Sequence, residues 1–237
     1  MQPEYLARLS VPVQEFIREV ERQAHLDIDV ILDSKLNNGG PMGRGNLAVD
    51  ITARRIQLFA PTNGYFPDGA VRHEVLHVQR FHVHGVPKLA LADGAWDKGL
   101  RDVLAGLDNA VEHIVIVPVE LQFHPERRTH WEALMSNVLA ELPFAPEGEL
   151  RLAVCLHWTF LRHVLPGSPQ IEIARNFMNE HALAGVADAF AAQFLSVAAS
   201  KEEMVRILFL TFPEIPKNRA ALEFVNSVTG TRQTPIP

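Results

Sequence analysis

His73-Glu74-Val75-Leu76-His77 sets two imidazoles on either side of a carboxylate at a spacing that suits one metal ion. On a helix, residues i and i+4 lie one above the other on one face, so both imidazoles can reach a single tetrahedral ion. The glutamate at i+1 is turned by about 100° from the first histidine. That sets it beside the open coordination position, where a general base can take a proton from a water activated by the metal. The chemistry is that of a zinc-dependent hydrolase, with Zn2+ as the expected cofactor.

Such a site needs a helix with an apolar back and a histidine front. Pro67-Asp68-Gly69 supplies a turn and an Asp N-cap, and Gly85 followed by Pro87 supplies a stop, so the helix is expected over 69–84. Val71, Val75, Leu76 and Val78 form its back. A catalytic zinc normally takes a third protein ligand. His82 follows His77 by five residues, about 140° around the helix, and faces away. His84 returns to the histidine face but stands roughly 10 Å further along the axis. The extended metzincin pattern fails too, because its glycine position is Arg80 and its last histidine position is Val83.

A second helix offers better candidates. Leu100, Val103, Leu104, Leu107, Val111 and Ile114 recur at helical spacing, which predicts a helix from about 97 to 116, ended by Pro118. Between Ala110 and Val117 only Glu112 and His113 are polar. A carboxylate in so apolar a stretch is costly to bury unless it is paired or binds a metal. Glu112 is therefore the expected third ligand, with Asp108 one turn earlier to orient it. His113 and Glu180 stay open as alternatives, as does a Glu112–His113 pair on the solvent side of the helix. Residues 113–121 also read as a strand.

The chain resembles the zincin metallopeptidases, and more particularly the gluzincins, in which H-E-x-x-H is followed on a second helix by a glutamate ligand. The resemblance spans roughly residues 46–117 and rests on His73, Glu74 and His77. In the usual second helix an acidic residue follows the ligand glutamate by four positions. Here that position is Ile116, and Asp108 precedes instead. The resemblance implies zinc on His73, His77 and Glu112, with Glu74 as the base for attack on an amide carbonyl of a peptide or protein substrate. It also implies that a strand upstream of the metal helix accepts the substrate as an added β-strand. Hydrolysis of an amide needs a donor for the developing oxyanion. Tyr65, in the loop before the metal helix, and His113 are the candidates.

Upstream, residues 12–24 read as an amphipathic helix, 26–32 as a strand, and 47–52 and 55–60 as two strands joined tightly at Ala53-Arg54. Asn37 to Gly45 is the most flexible-looking loop. After Pro118 strands are expected to stop, with helices at about 127–141, 148–164, 170–182, 184–198, 201–211 and 217–228, and a frayed tail over 229–237. The fold class is thus α+β: a small N-terminal sheet packed on a metal-binding helix pair, followed by an all-helical C-terminal half. The metal-binding core is assigned to 1–142 and the helical extension to 143–237, with the boundary at Pro143 to Gly148, and one continuous domain with the extension packed on the core stays open.

Composition narrows the function classes. Net charge is −6 with no block of Lys or Arg, which excludes a nucleic-acid surface. Cys155 is the single cysteine, so neither a disulfide framework nor a cysteine zinc site is available, and its apolar surroundings make it a core residue. No apolar run is long enough to span a membrane, and Met1 to Tyr5 does not begin a secretory leader, so a cytoplasmic setting is expected. A zincin-like protein that binds a partner without turnover is the alternative to an active hydrolase.

Overall fold

The computed structural model describes residues 1–37, 47–94 and 96–237. The loop expected at Asn37 to Gly45 falls, beyond Asn37, outside the described residues. Two compact units emerge: Met1–Lys88 with Glu223–Gln233, and Leu89–Leu222 with Thr234–Pro237.

The first unit opens with α1 (Pro3–Leu6) and α2 (Val11–Ala24), then β1 (Ile28–Leu32), β2 (Ala48–Thr52), β3 (Arg55–Ala60) and α3 (Asp68–Val78). The strand order is β1-β3-β2, with β3 parallel to β1 and antiparallel to β2. Thr52 pairs with Arg55, so the tight hairpin read from the sequence is present. Alternation on β3 turns Ile56, Leu58 and Ala60 inward. Val13, Ile17, Val20 and Ala24 form the buried stripe of α2. Val71, Val75 and Val78, the back of α3, join the same core, and α3 packs on α2.

Asp68 does not cap α3 as expected. The cap position is Pro67, and Asp68 begins the helix. Its carboxylate instead accepts the backbone N–H of Ser10 at 3.1 and 3.3 Å. Ser10 is itself the cap residue of α2, so Asp68 ties the starts of the two helices together.

The second unit contains α4 (Lys98–Phe123), α5 (Arg128–Glu141), α6 (Glu147–Val164), α7 (Gln170–Glu180), α8 (Ala184–Ser196) and α9 (Lys201–Thr211). Asp97 caps α4 by accepting the Leu100 N–H at 3.0 Å. α6 packs against α4, α7 and α8, and α4 also packs against α9. That packing is why residues 98–123 group with the helices that follow them, and not with the sheet that precedes them.

Two expectations need correction. Pro118 does not end α4, which continues to Phe123. Proline removes only the N–H that would have bonded the Ile114 carbonyl, while buried Ile116, Val117 and Glu120 keep the helix in register. Nor do strands stop after Pro118. Residues expected as a helix over 217–228 and a frayed tail form β5 (Ala220–Asn226) and β6 (Gly230–Pro235), and with β4 (Lys88–Leu91) these make a second sheet of order β4-β5-β6. Asn226 sets the turn by accepting the N–H groups of Val228 and Thr229 at 2.9 and 2.8 Å, and Gly230 takes φ +86°. The α+β class holds. No helix among the described residues is long and apolar enough to cross a membrane.

Candidate metal centre

α3 carries its two histidines on one buried face. His73 and His77 are each 6% exposed, with ring centroids 5.1 Å apart and ring planes at 85°. Glu74, between them in sequence, is half-buried. One turn past His77, Phe81 stacks on its ring at 6.1 Å and 23°. The Lys88 ammonium lies 5.3 Å from the Phe81 ring. Two imidazoles held one turn apart by a packed helix are a donor pair suited to zinc.

Beyond Val78 the helix widens into a π-helical turn, Gln79–Val83, and the chain leaves it through Gly85 at φ +65°. Such turns recur beside functional sites because they re-aim side chains within one helix. His82 is buried, with Nε2 2.9 Å from the Thr52 carbonyl oxygen. Burial lowers its pKa, opposed by that hydrogen bond and aided by the charge on Lys88. The neutral ring is therefore the donor to Thr52. Lys88 donates to the neighbouring carbonyl of Ile51. The turn after the histidine pair is thus fastened to the hairpin end of β2. His84 is exposed at the end of the turn.

Tyr65 packs its half-buried ring against the core of the first unit, and its N–H bonds Asn63 Oδ1 at 3.0 Å.

In the second unit, α4 presents the other candidates. Glu112 is completely buried, and its Oε1 accepts a hydrogen bond from Lys201 Nζ at 2.7 Å. Asp108, one turn earlier, accepts from the same Nζ at 2.7 Å and from the Leu89 N–H at 2.6 Å. Burial raises the Asp108 pKa, opposed by the charge and hydrogen bond of Lys201. Glu112, the expected metal ligand, is thus engaged by an ammonium 89 positions away in sequence. Asp108 shares that ammonium and does not act as an orienting partner for Glu112 alone. His113, next on the helix, is half-buried with its ring edge-on to Trp131, at 5.0 Å and 72°. Glu180 is exposed at the end of α7. Cys155 is buried, and burial pushes its thiol up to about 11, which leaves it an inert core residue.

Sequence reasoning missed Lys201 and Trp131. A signal for Lys201 was present: with Met204, Val205 and Leu208 it shares one helix face, and a lysine at the head of an apolar stripe needs a buried counter-charge. No comparable signal marks Trp131, whose indole Nε1 donates to the buried Glu120.

No family model, curated protein or solved structure matches the chain.

Proposed function

We propose that this protein is a zinc-dependent, metallopeptidase-like hydrolase in which His73 and His77 hold the metal and Glu74 is the general base. The observation that carries the reading is the buried imidazole pair on α3, with the half-buried Glu74 between its members. Glu112, the third ligand expected from the sequence, is already bonded to Lys201, and a carboxylate paired with a buried ammonium is a poor donor to a cation. Two neutral imidazoles are donors that suit zinc. Bound there, zinc would supply Lewis acidity, acidifying water and polarising a substrate carbonyl.

The chain's own residues divide the remaining work. Glu74 takes the proton of the attacking water on its carboxylate and returns it to the leaving nitrogen. Tyr65, in the same unit as the histidine pair, is the candidate donor to the developing oxyanion. β2 lies at an edge of its sheet, and a peptide substrate would add along Ala48–Asp50, because the Ile51 and Thr52 carbonyls already accept from Lys88 and His82. The single cysteine, buried and protonated, is consistent with a reducing cytoplasmic setting.

Two sets of variants test this reading. Glu74→Gln should keep zinc while hydrolysis of a peptide library falls by roughly 10²-fold or more. Activity equal to wild type in that variant would remove Glu74 from the mechanism. A wild type that binds zinc yet cleaves nothing would leave a partner-binding protein as the reading. Metal analysis of Glu112→Gln tests the glutamate: zinc should be retained, and its loss would restore Glu112 as a ligand.

A further inference from the structure

We propose that His82 is a positioning residue that works as a proton-sensitive latch: its neutral ring holds the turn that follows α3 against the hairpin end of β2, and a second ring proton releases it. The latch lies wholly within the first unit and needs no metal. Only its bearing on catalysis, the placement of the histidine-bearing helix against the strand that would receive a peptide, rests on the hydrolase reading. The turn, Gln79–Val83, is π-helical, and it closes on itself through the His84 N–H to the Gln79 carbonyl at 2.9 Å and the Val86 N–H to the Arg80 carbonyl at 3.0 Å. Side chains fasten it to the sheet: His82 to the Thr52 carbonyl, and Lys88, just beyond, to the Ile51 carbonyl. A carbonyl oxygen only accepts, so Nε2 carries the ring hydrogen and Nδ1 is a bare acceptor. Nδ1 is buried and has no hydrogen-bond partner among the described residues, in a side chain 8% exposed.

A proton on Nδ1 would be a buried donor facing no acceptor, on a ring made cationic beside an ammonium. The neighbours supply no counter-charge. β2 offers the carbonyls of Ile51 and Thr52. α2 turns its apolar stripe of Val13, Ile17, Val20 and Ala24 inward. α3 carries Asp68, Arg72, His73, Glu74 and His77, none of which acts on the ring, and the charge that does is Lys88. Burial therefore holds His82 below the ordinary histidine range, opposed by the bond to Thr52 and reinforced by Lys88. With the turn open the ring regains its ordinary value, so the open state binds more protons. The latch is at full strength above the ordinary histidine range and is lost as pH falls from there through the lowered value. His84 titrates on the same turn, lowered by partial burial and by Arg80, and has to be separated from His82 by experiment.

The test is hydrogen exchange of the full, metal-free chain from about pH 7.5 to about pH 5, read as protection factors so that the pH dependence of intrinsic exchange is removed. The His84 and Val86 amides report on the turn, and those of the central strand β3 report on the unit as a whole. In the wild type, protection at His84 and Val86 should fall by up to about tenfold per pH unit below the ordinary histidine range, while β3 stays protected. His82→Gln places an amide N–H near the position of Nε2 on a side chain that does not titrate. It should protect the turn within a few-fold of wild type at neutral pH and hold that protection flat on acidification. His82→Phe keeps the bulk of the ring without its donor, and should lose about tenfold at every pH. Should His82→Phe fold poorly, the wild type and His82→Gln still decide. Protection that is flat in the wild type, that falls equally in His82→Gln, or that becomes flat in His84→Gln would overturn the inference. So would β3 losing protection in step with the turn, which would make His82 a core residue. A chain that binds no zinc and cleaves no peptide would leave these outcomes as they are, so failure of the hydrolase reading and failure of the latch are seen separately.

Discussion

Alanine at either His73 or His77 should leave the purified protein without metal, where the wild type should carry about one zinc per chain. The expectation follows from how few donors there are. A zinc site with three protein ligands that loses one keeps two, and the loss should exceed the roughly 10–100-fold that removal of a supporting contact costs. The fold should survive both changes. α3 is held through Val71, Val75 and Val78 in the core of its unit, and alanine is the best helix former. Elemental analysis of the purified variants, with circular dichroism to confirm helix content, separates loss of metal from loss of structure. Full zinc retention in both variants would end the case for a metal site on α3.

The α3 helix was readable in the sequence because its information is local. Five residues define the motif, a turn and a glycine bracket it, and the valines of its back recur at helical spacing. The β2–β3 hairpin was readable for the same reason. Elements went astray where a distant partner outweighs local preference. Pro118 marks a helix end by local rules, yet flanking buried residues carry α4 through it. Ala220-Ala221-Leu222 favours a helix on propensity, but the segment lies in a sheet, which supplies strand pairing that no local window contains.

The candidate site divides along the same line. That Glu112 is buried in an apolar helix and therefore needs a partner was legible. Which partner was not. A metal and a lysine both answer a buried carboxylate, and the lysine is 89 positions further on.

Lys201→Met should be the most destabilising substitution considered for this chain. Lys201 is fully buried and neutralises two carboxylates, with side chains 0% exposed for Glu112 and 13% for Asp108. Removing one partner of a buried ionic cluster costs about 3–5 kcal/mol, because the remaining charge has neither water nor a counter-ion. Total stability of a domain is on the order of 5–15 kcal/mol, so the urea midpoint should drop by a large fraction of its value with the slope unchanged. The loss should depend on pH. Asp108 already has a raised pKa from burial, and Lys201 is the main force opposing that rise. Without Lys201 the folded state holds its carboxyl protons to higher pH than the unfolded chain does. The variant's stability therefore falls as pH rises from the ordinary carboxylate range into the raised one, and its deficit against wild type should narrow on acidification. Adding Glu112→Leu to Lys201→Met removes the most buried of the stranded charges, and should recover part of the loss while zinc remains bound. A Lys201→Met protein within about 1 kcal/mol of wild type near neutral pH would mean that the cluster does not hold Glu112, and the glutamate would again be the leading candidate for the third metal ligand.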